Sequence, residues 1–129
     1  MKKLMALMIA ALAAVVITGC SSVQVATKLN DQKLTLASNP EVAHLNGSTW
    51  GLYILSAPVL TGSTAKPDNM AFGEDTVNVS SVVDMVTAKS KALGGKEVVD
   101  MTSSASSFWV APLFIVFIKS VEVSGNSIK

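Results

Sequence analysis

The sequence predicts an α+β domain: a small, mostly antiparallel sheet laid out as β-hairpin, helix, β-hairpin, with the one helix packed on a face. Three observations predict it. Runs rich in strand formers flank Asn46-Gly47, the dipeptide most favoured in a two-residue type I′ hairpin turn. From Ser80 or Ser81 to Leu93 the apolar residues recur at helical spacing, and Gly94-Gly95 follows as a helix stop. A second group of strand formers, Lys96–Thr102 and Trp109–Val123, ends in the alternation Val121-Glu122-Val123.

Residues 1–19 stand apart from that domain. Lys2 and Lys3 form a charged n-region, Leu4 to Ile17 an apolar h-region, and Ile17-Thr18-Gly19-Cys20 places small residues before a cysteine. In this order they form a secretory signal of the lipid-attaching kind and resemble the lipobox of bacterial lipoproteins, with Cys20 as lipid acceptor and new N-terminus. The apolar run falls short of the about 20 residues a helix needs to span hydrocarbon, so it reads as cleaved rather than retained. The resemblance implies a membrane partner, held through lipid on Cys20. Burial of acyl chains contributes about 0.8 kcal/mol per methylene, and two chains suffice for stable attachment. Ser21 follows the cysteine where inner-membrane retention signals usually carry Asp, which favours the outer membrane, facing the periplasm.

Removal of residues 1–19 from the 129 leaves 110, enough for one domain with its own core. The mean hydropathy of +0.49 is raised by the leader. The remainder carries eight Lys, no Arg and nine Asp or Glu. Nucleic-acid binders need a basic patch and arginines for phosphate and guanine contacts, so that class is excluded. Cys20 is the lone cysteine of the chain, so packing without an intramolecular disulfide must hold the domain together.

Along the chain, residues 20–31 are a lipidated tether or a first strand, and 32–129 a single domain. Val23, Val25, Thr27 and Leu29 alternate, as do Lys33-Leu34-Thr35-Leu36, and Asn39-Pro40 marks a turn. After the Asn46-Gly47 turn, the stretch from Ser48 to Pro58 supplies Trp50, Leu52, Tyr53, Ile54 and Leu55 for the second hairpin strand, with Trp50 and Tyr53 on opposite faces. Residues 59–78, with Gly62, Pro67, Asp68, Asn69 and Gly73, read as a long surface loop, and 61–76 within it as mobile and separable from folding. Ser81-x-x-Asp84 has capping-box spacing at the start of the helix. Val82, Met85, Val86, Ala92 and Leu93 share its apolar side, and Lys89 projects near the middle, its stem packing while its amine reaches solvent. Lys96–Thr102 is the next strand, Ser103–Ser107 a polar connector, and Trp109–Val123 a long central strand that begins or bulges at Pro112. A transmembrane helix over 108–118 is disfavoured by its length and that proline.

Catalytic material is scarce. His44 is the sole histidine and sits in a strand, where a structural role is ordinary. No His/Cys/carboxylate cluster has metal-ligand spacing, no G-x-S-x-G elbow surrounds the serines, and Gly94-Gly95 lacks a phosphate-cradle context. Asp68, Glu74 and Asp75 lack the ligand spacing of a calcium loop and read as a solvated acidic stretch. The expectation is no enzyme, no metal and no cofactor. Trp50, Tyr53, Phe108 and Trp109 are candidates for an exposed aromatic patch that meets a partner or a lipid surface; filling the core is their ordinary alternative role.

The layout is similar to that of small bacterial envelope lipoproteins such as the TRL-like (tRNA-associated-locus-like) lipoproteins. The shared elements are the lipobox at Cys20, the Gly51-Leu52-Tyr53 strand, and the helix Ala88-Lys89-Ser90-Lys91-Ala92-Leu93-Gly94-Gly95. The Val98-Val99 strand and a closing strand ending Val121-Glu122-Val123-Ser124-Gly125-Asn126 complete the set. The lipobox is the specific motif among them, and the resemblance supplies no catalytic residues. The functional expectation is a lipid-anchored cell-envelope protein with a binding or structural role, its partner an envelope protein or a second copy of itself. The alternative is a periplasmic sensor or accessory subunit that reports envelope state.

Overall fold

The computed structural model describes residues 20–29, 32–33, 41–110 and 115–129. Among these the chain forms β1 (Ser21–Ala26), β2 (Lys28–Leu29), β3 (Gln32–Lys33), β4 (Glu41–Ile54), β5 (Ala57–Gly62), β6 (Met70–Phe72), α1 (Val79–Ala92), β7 (Glu97–Trp109) and β8 (Val116–Ile128). The main sheet runs β6-β5-β4-β8-β7, with β1 also on β4, and every pairing is antiparallel. A mostly antiparallel sheet with one helix is the α+β class that the sequence implies. The hairpin–helix–hairpin layout is met loosely: the pairs β4–β5 and β7–β8 flank α1, but β1 and β6 extend the sheet. The strands Lys33–Leu36 and the turn at Asn39-Pro40 lie largely outside the described residues, as do Pro112 and Phe114.

The fourteen-residue β4 organises the sheet. β8 pairs along one of its edges from Glu41 to Ile54, while β1 takes His44–Thr49 and β5 takes Gly51–Ile54 on the other. Asn46-Gly47 is therefore not a turn. Gly47 pairs with Val23 on one side and Val123 on the other, in mid-strand. The physical reason for glycine there is the helix above it: an added Cβ would stand 2.5 Å from Val86 Cγ2 and 3.2 Å from Val82 Cγ1. The first hairpin instead reverses at Leu55-Ser56, both with positive φ (48° and 74°), a strained choice for residues with a Cβ. Pairing of β4 with strands on both edges overrides the local preference for a turn at Asn-Gly.

The stretch 59–78 is likewise not a loop throughout. It contains the end of β5 and all of β6, and side chains fasten residues 74–76 back onto β5: Thr61 Oγ1 donates to the Glu74 carbonyl at 2.9 Å and Thr76 Oγ1 to the Gly62 carbonyl at 2.6 Å. Ser103–Ser107 is not a connector, since β7 passes straight through it in register with β8. The expected single strand 109–123 is divided between two strands: β7 ends at Trp109 and β8 begins at Val116, with residues 111–114 outside the described residues. Serine has little strand preference of its own, but β8 offers a full row of hydrogen-bonding partners.

Alternation along β4 and β8 builds the core. Ala43, Leu45, Tyr53, Val121 and Val123 are buried on one face under Val82, Met85 and Val86 of α1, with Val77 beside them. Asn78, not Ser80 or Ser81, caps the helix: its Oδ1 accepts from Ser81 N at 2.8 Å. At the other end Gly94 takes φ +84° and terminates it, as the sequence implies. Ala92 and Leu93, expected on the apolar side, are exposed. Ser90 is buried there instead, hydrogen-bonded through its hydroxyl to Ser127 at 2.7 Å.

Candidate functional site

From Ala43 to Ile54 of β4 and from Val116 to Ser127 of β8 the covered face holds the odd-numbered residues, so the even-numbered ones form an open face. Beyond the irregularity at Glu41/Ala43 the phase changes and Ile128 is buried. Antiparallel partners share a face, and that rule divides the open face in two. One half is polar: Ser22, Gln24, His44, Asn46, Ser48, Thr102, Ser104, Ser106, Ser120, Glu122, Ser124 and Asn126 all fall there by register. Hydroxyl pairs stitch it across strands, Ser22 to Ser48 at 3.2 Å, Thr102 to Ser124 at 2.8 Å and Ser106 to Ser120 at 2.8 Å. His44 Nδ1 lies 2.6 Å from Asn126 Oδ1, a structural role for the sole histidine. The other half is apolar. Phe72 pairs with Leu60, Leu60 with Leu52, Leu52 with Ile118 and Ile118 with Phe108, one row across five strands. Phe72 is 74% and Phe108 57% exposed.

The four aromatic candidates divide between the two faces. Trp50, half-buried, and Phe108 are on the open face, Trp50 in the row where the apolar half gives way to serines. Tyr53 is wholly buried on the helix side. Its hydroxyl donates to Asp75 Oδ1 at 2.5 Å and its ring lies 4.1 Å from Lys119 Nζ. Burial first, and then the Asp75 carboxylate, raise the Tyr53 phenol well above its ordinary range. Tyr53 is thus a core residue, the ordinary alternative for an aromatic in a small sheet. Trp109 is exposed at the end of β7 on Tyr53's side of the sheet, edge-on to Phe117 with ring centroids 5.7 Å apart. The structure brings Trp50 and Phe108 to one surface and removes Tyr53 and Trp109 from it.

Sequence reasoning missed Leu60 and Phe72 because the Gly, Pro and Asp around them hide two short strands. It also missed Leu52 and Ile118 as surface residues, since apolar strand residues read as core. The alternation Leu52/Ile54 against Gly51/Tyr53 was the available signal.

Cys20 is buried at the head of β1, and burial raises its thiol pKa. Its carbonyl accepts from Trp50 N at 2.8 Å, and the Ser21 carbonyl accepts from Asp68 N at 2.9 Å. Ser21 Oγ donates to the Ser63 carbonyl at 2.6 Å. An added Cβ on Gly62 would collide with the Cys20 backbone, so the end of β5 abuts the head of β1. A groove of about 420 Å³ opens between α1 and the 64–68 segment, with Val23, Met85, Ala88 and Pro67 in its wall and Lys89 and Asp68 at hand. Among the described residues no group of His, Cys, Asp and Glu is placed to hold a metal ion, and Asp75 is engaged with Tyr53. No helix among them is long and apolar enough to cross a membrane. Comparison with family models, curated proteins and solved structures finds no match for this chain.

Proposed function

We propose that the chain is a lipid-anchored cell-envelope protein, attached through Cys20 and acting by binding or as a structural component. The observation that carries this reading is the order of Lys2-Lys3, the apolar run Leu4–Ile17 and Ile17-Thr18-Gly19-Cys20. The position of Cys20 supports it, because the acceptor residue directly precedes the first strand of the domain. A buried, protonated thiol is a poor nucleophile. Lipid transfer to Cys20 therefore belongs to a stage before β1 docks on β4, when the chain has just been translocated. Ser21 favours delivery to the outer membrane, periplasmic side, and the layout shared with TRL-like lipoproteins belongs to the same proposal. A binding role rather than catalysis suits a molecule whose polar groups lie spread over an open sheet face, not gathered in a deep pocket. The partners proposed are the membrane, and an envelope protein or a second copy of the chain.

Growth of producing cells with a labelled fatty acid tests the anchor. Wild-type protein takes up label that resists detergent extraction, and Cys20→Ala does not. Labelling that survives Cys20→Ala refutes attachment at this residue.

A further inference from the structure

The apolar half of the open face runs across the whole main sheet. The row Phe72–Leu60–Leu52–Ile118–Phe108 crosses four strand spacings, about 19 Å at the usual interstrand distance. Ile54 and Val116 extend it toward the hairpin ends, where Leu55 N bonds to the Ile115 carbonyl at 2.9 Å and both side chains are exposed. Neither Trp50–Ala65 nor Met101–Ile118 contains a charged residue. Contiguous apolar surface of this extent on a folded domain marks a contact surface.

We propose that this half-face lies on the bilayer surface, so that the domain rests on the membrane to which it is tied. The orientation rests on the reading of Cys20 as the lipid acceptor. The occupant is a bilayer because of where the preceding chain ends. Residues 1–19, apolar from Leu4 to Ile17, lead directly into Cys20, and β1 begins at Ser21 with no spacer. The Cys20 carbonyl holds Trp50 N, and the Cys20 backbone occupies the space that a Gly62 side chain would fill, on the side that alternation assigns to Leu60. The docked Cys20 side chain is itself buried, so a lipid on Cys20 needs the head of β1 to loosen there. What these contacts fix is the point of attachment, beside Trp50 and Leu60, and a tether at that point draws the band toward the membrane plane. Hydrocarbon offers neither charge nor hydrogen bonds, and the band asks for neither. Trp50 sits in the row where apolar side chains give way to serines, the place an indole takes at a membrane interface. Shallow contact, about 5–10 Å deep as for interfacial helices, would cover the band and leave the serine-rich half in water.

Tryptophan quenching in vesicles tests this on the full chain purified from membranes. In a Trp50→Phe/Trp109→Phe background, one tryptophan is returned at Phe72→Trp or Phe108→Trp in the band, or at Ser104→Trp or Lys91→Trp outside it. Each protein is placed in phosphatidylethanolamine/phosphatidylglycerol vesicles with or without bromine on the acyl chains, and its intact mass reports the lipid on Cys20. At shallow interfacial depth the band reporters lose a clear share of their emission to brominated chains, and Ser104→Trp and Lys91→Trp lose almost none. A lipid-bearing protein whose band reporters are quenched no more than Ser104→Trp overturns the proposal while leaving the anchor intact. Quenched band reporters on a protein that lacks the lipid mass uphold the surface and overturn the anchor. Band reporters shielded from both lipid and aqueous quencher, with crosslinks between copies through the band, overturn the proposal in favour of a dimer face.

Discussion

Gly47→Ala isolates the reason that an Asn-Gly pair lies in the middle of a strand. The added Cβ would stand 2.5 Å from Val86 Cγ2, against about 3.5–4.0 Å for a comfortable carbon–carbon contact. Val86 is fully buried on α1, and a helical valine has essentially one rotamer, so it cannot swing aside. Either the helix lifts by about 1 Å over Val82, Met85 and Val86, or the side chain leaves its well; overpacking of this kind costs about 1–3 kcal/mol. Alanine in an extended backbone recovers about 0.4–1 kcal/mol through the unfolded state. The net loss expected is about 1–2 kcal/mol, equivalent to a fall of about 5–10 °C in melting temperature. Val86→Ala removes the methyl that Gly47→Ala strikes and itself costs about 2 kcal/mol. In that background Gly47→Ala should be neutral or slightly stabilising, a coupling of about 1–2 kcal/mol in a double-mutant cycle read by urea unfolding. A glycine serving a type I′ turn behaves differently: its alanine suffers the strain of positive φ whatever stands at position 86. Equal penalties in the two backgrounds would refute the close approach of helix and sheet as the reason for Gly47.

Buried polar groups give two further expected outcomes. Ser90→Ala should cost about 1–3 kcal/mol, because it leaves the buried Ser127 hydroxyl without its 2.7 Å partner, and the double change to alanine should recover most of that loss in thermal melts. The Tyr53 phenol is raised above its ordinary range, so the folded state binds its proton more tightly than the unfolded state and stability should fall as pH rises past about 10. Tyr53 is the sole tyrosine, so tyrosinate absorbance reports it directly, and Tyr53→Phe should flatten that part of the stability profile relative to wild type; an ordinary phenol titration in the folded protein would contradict the placement.

The sequence by itself determined the features written within a few residues: the helix with Val82, Met85 and Val86 inward, its stop at Gly94, and the alternation of Val121 and Val123 against Ser120 and Glu122. Such features depend on neighbours along the chain, and their periods survive in any context. The tertiary structure alone decided which turn-forming and polar residues become strands. Asn46-Gly47 became mid-strand because β1 and β8 pair with β4 on both sides and α1 needs a residue without a side chain beneath Val86. Ser103–Ser107 became β7, and residues 59–62 and 70–72 the end of β5 and β6, because partners distant in sequence supply the hydrogen bonds that weak local preference leaves open. The same cause hid the band on the open face. Leu52, Leu60, Phe72, Ile118 and Phe108 come from five strands, and only the register between strands sets them in one row, because a strand pattern states which residues share a side but not which of the two sides the helix covers.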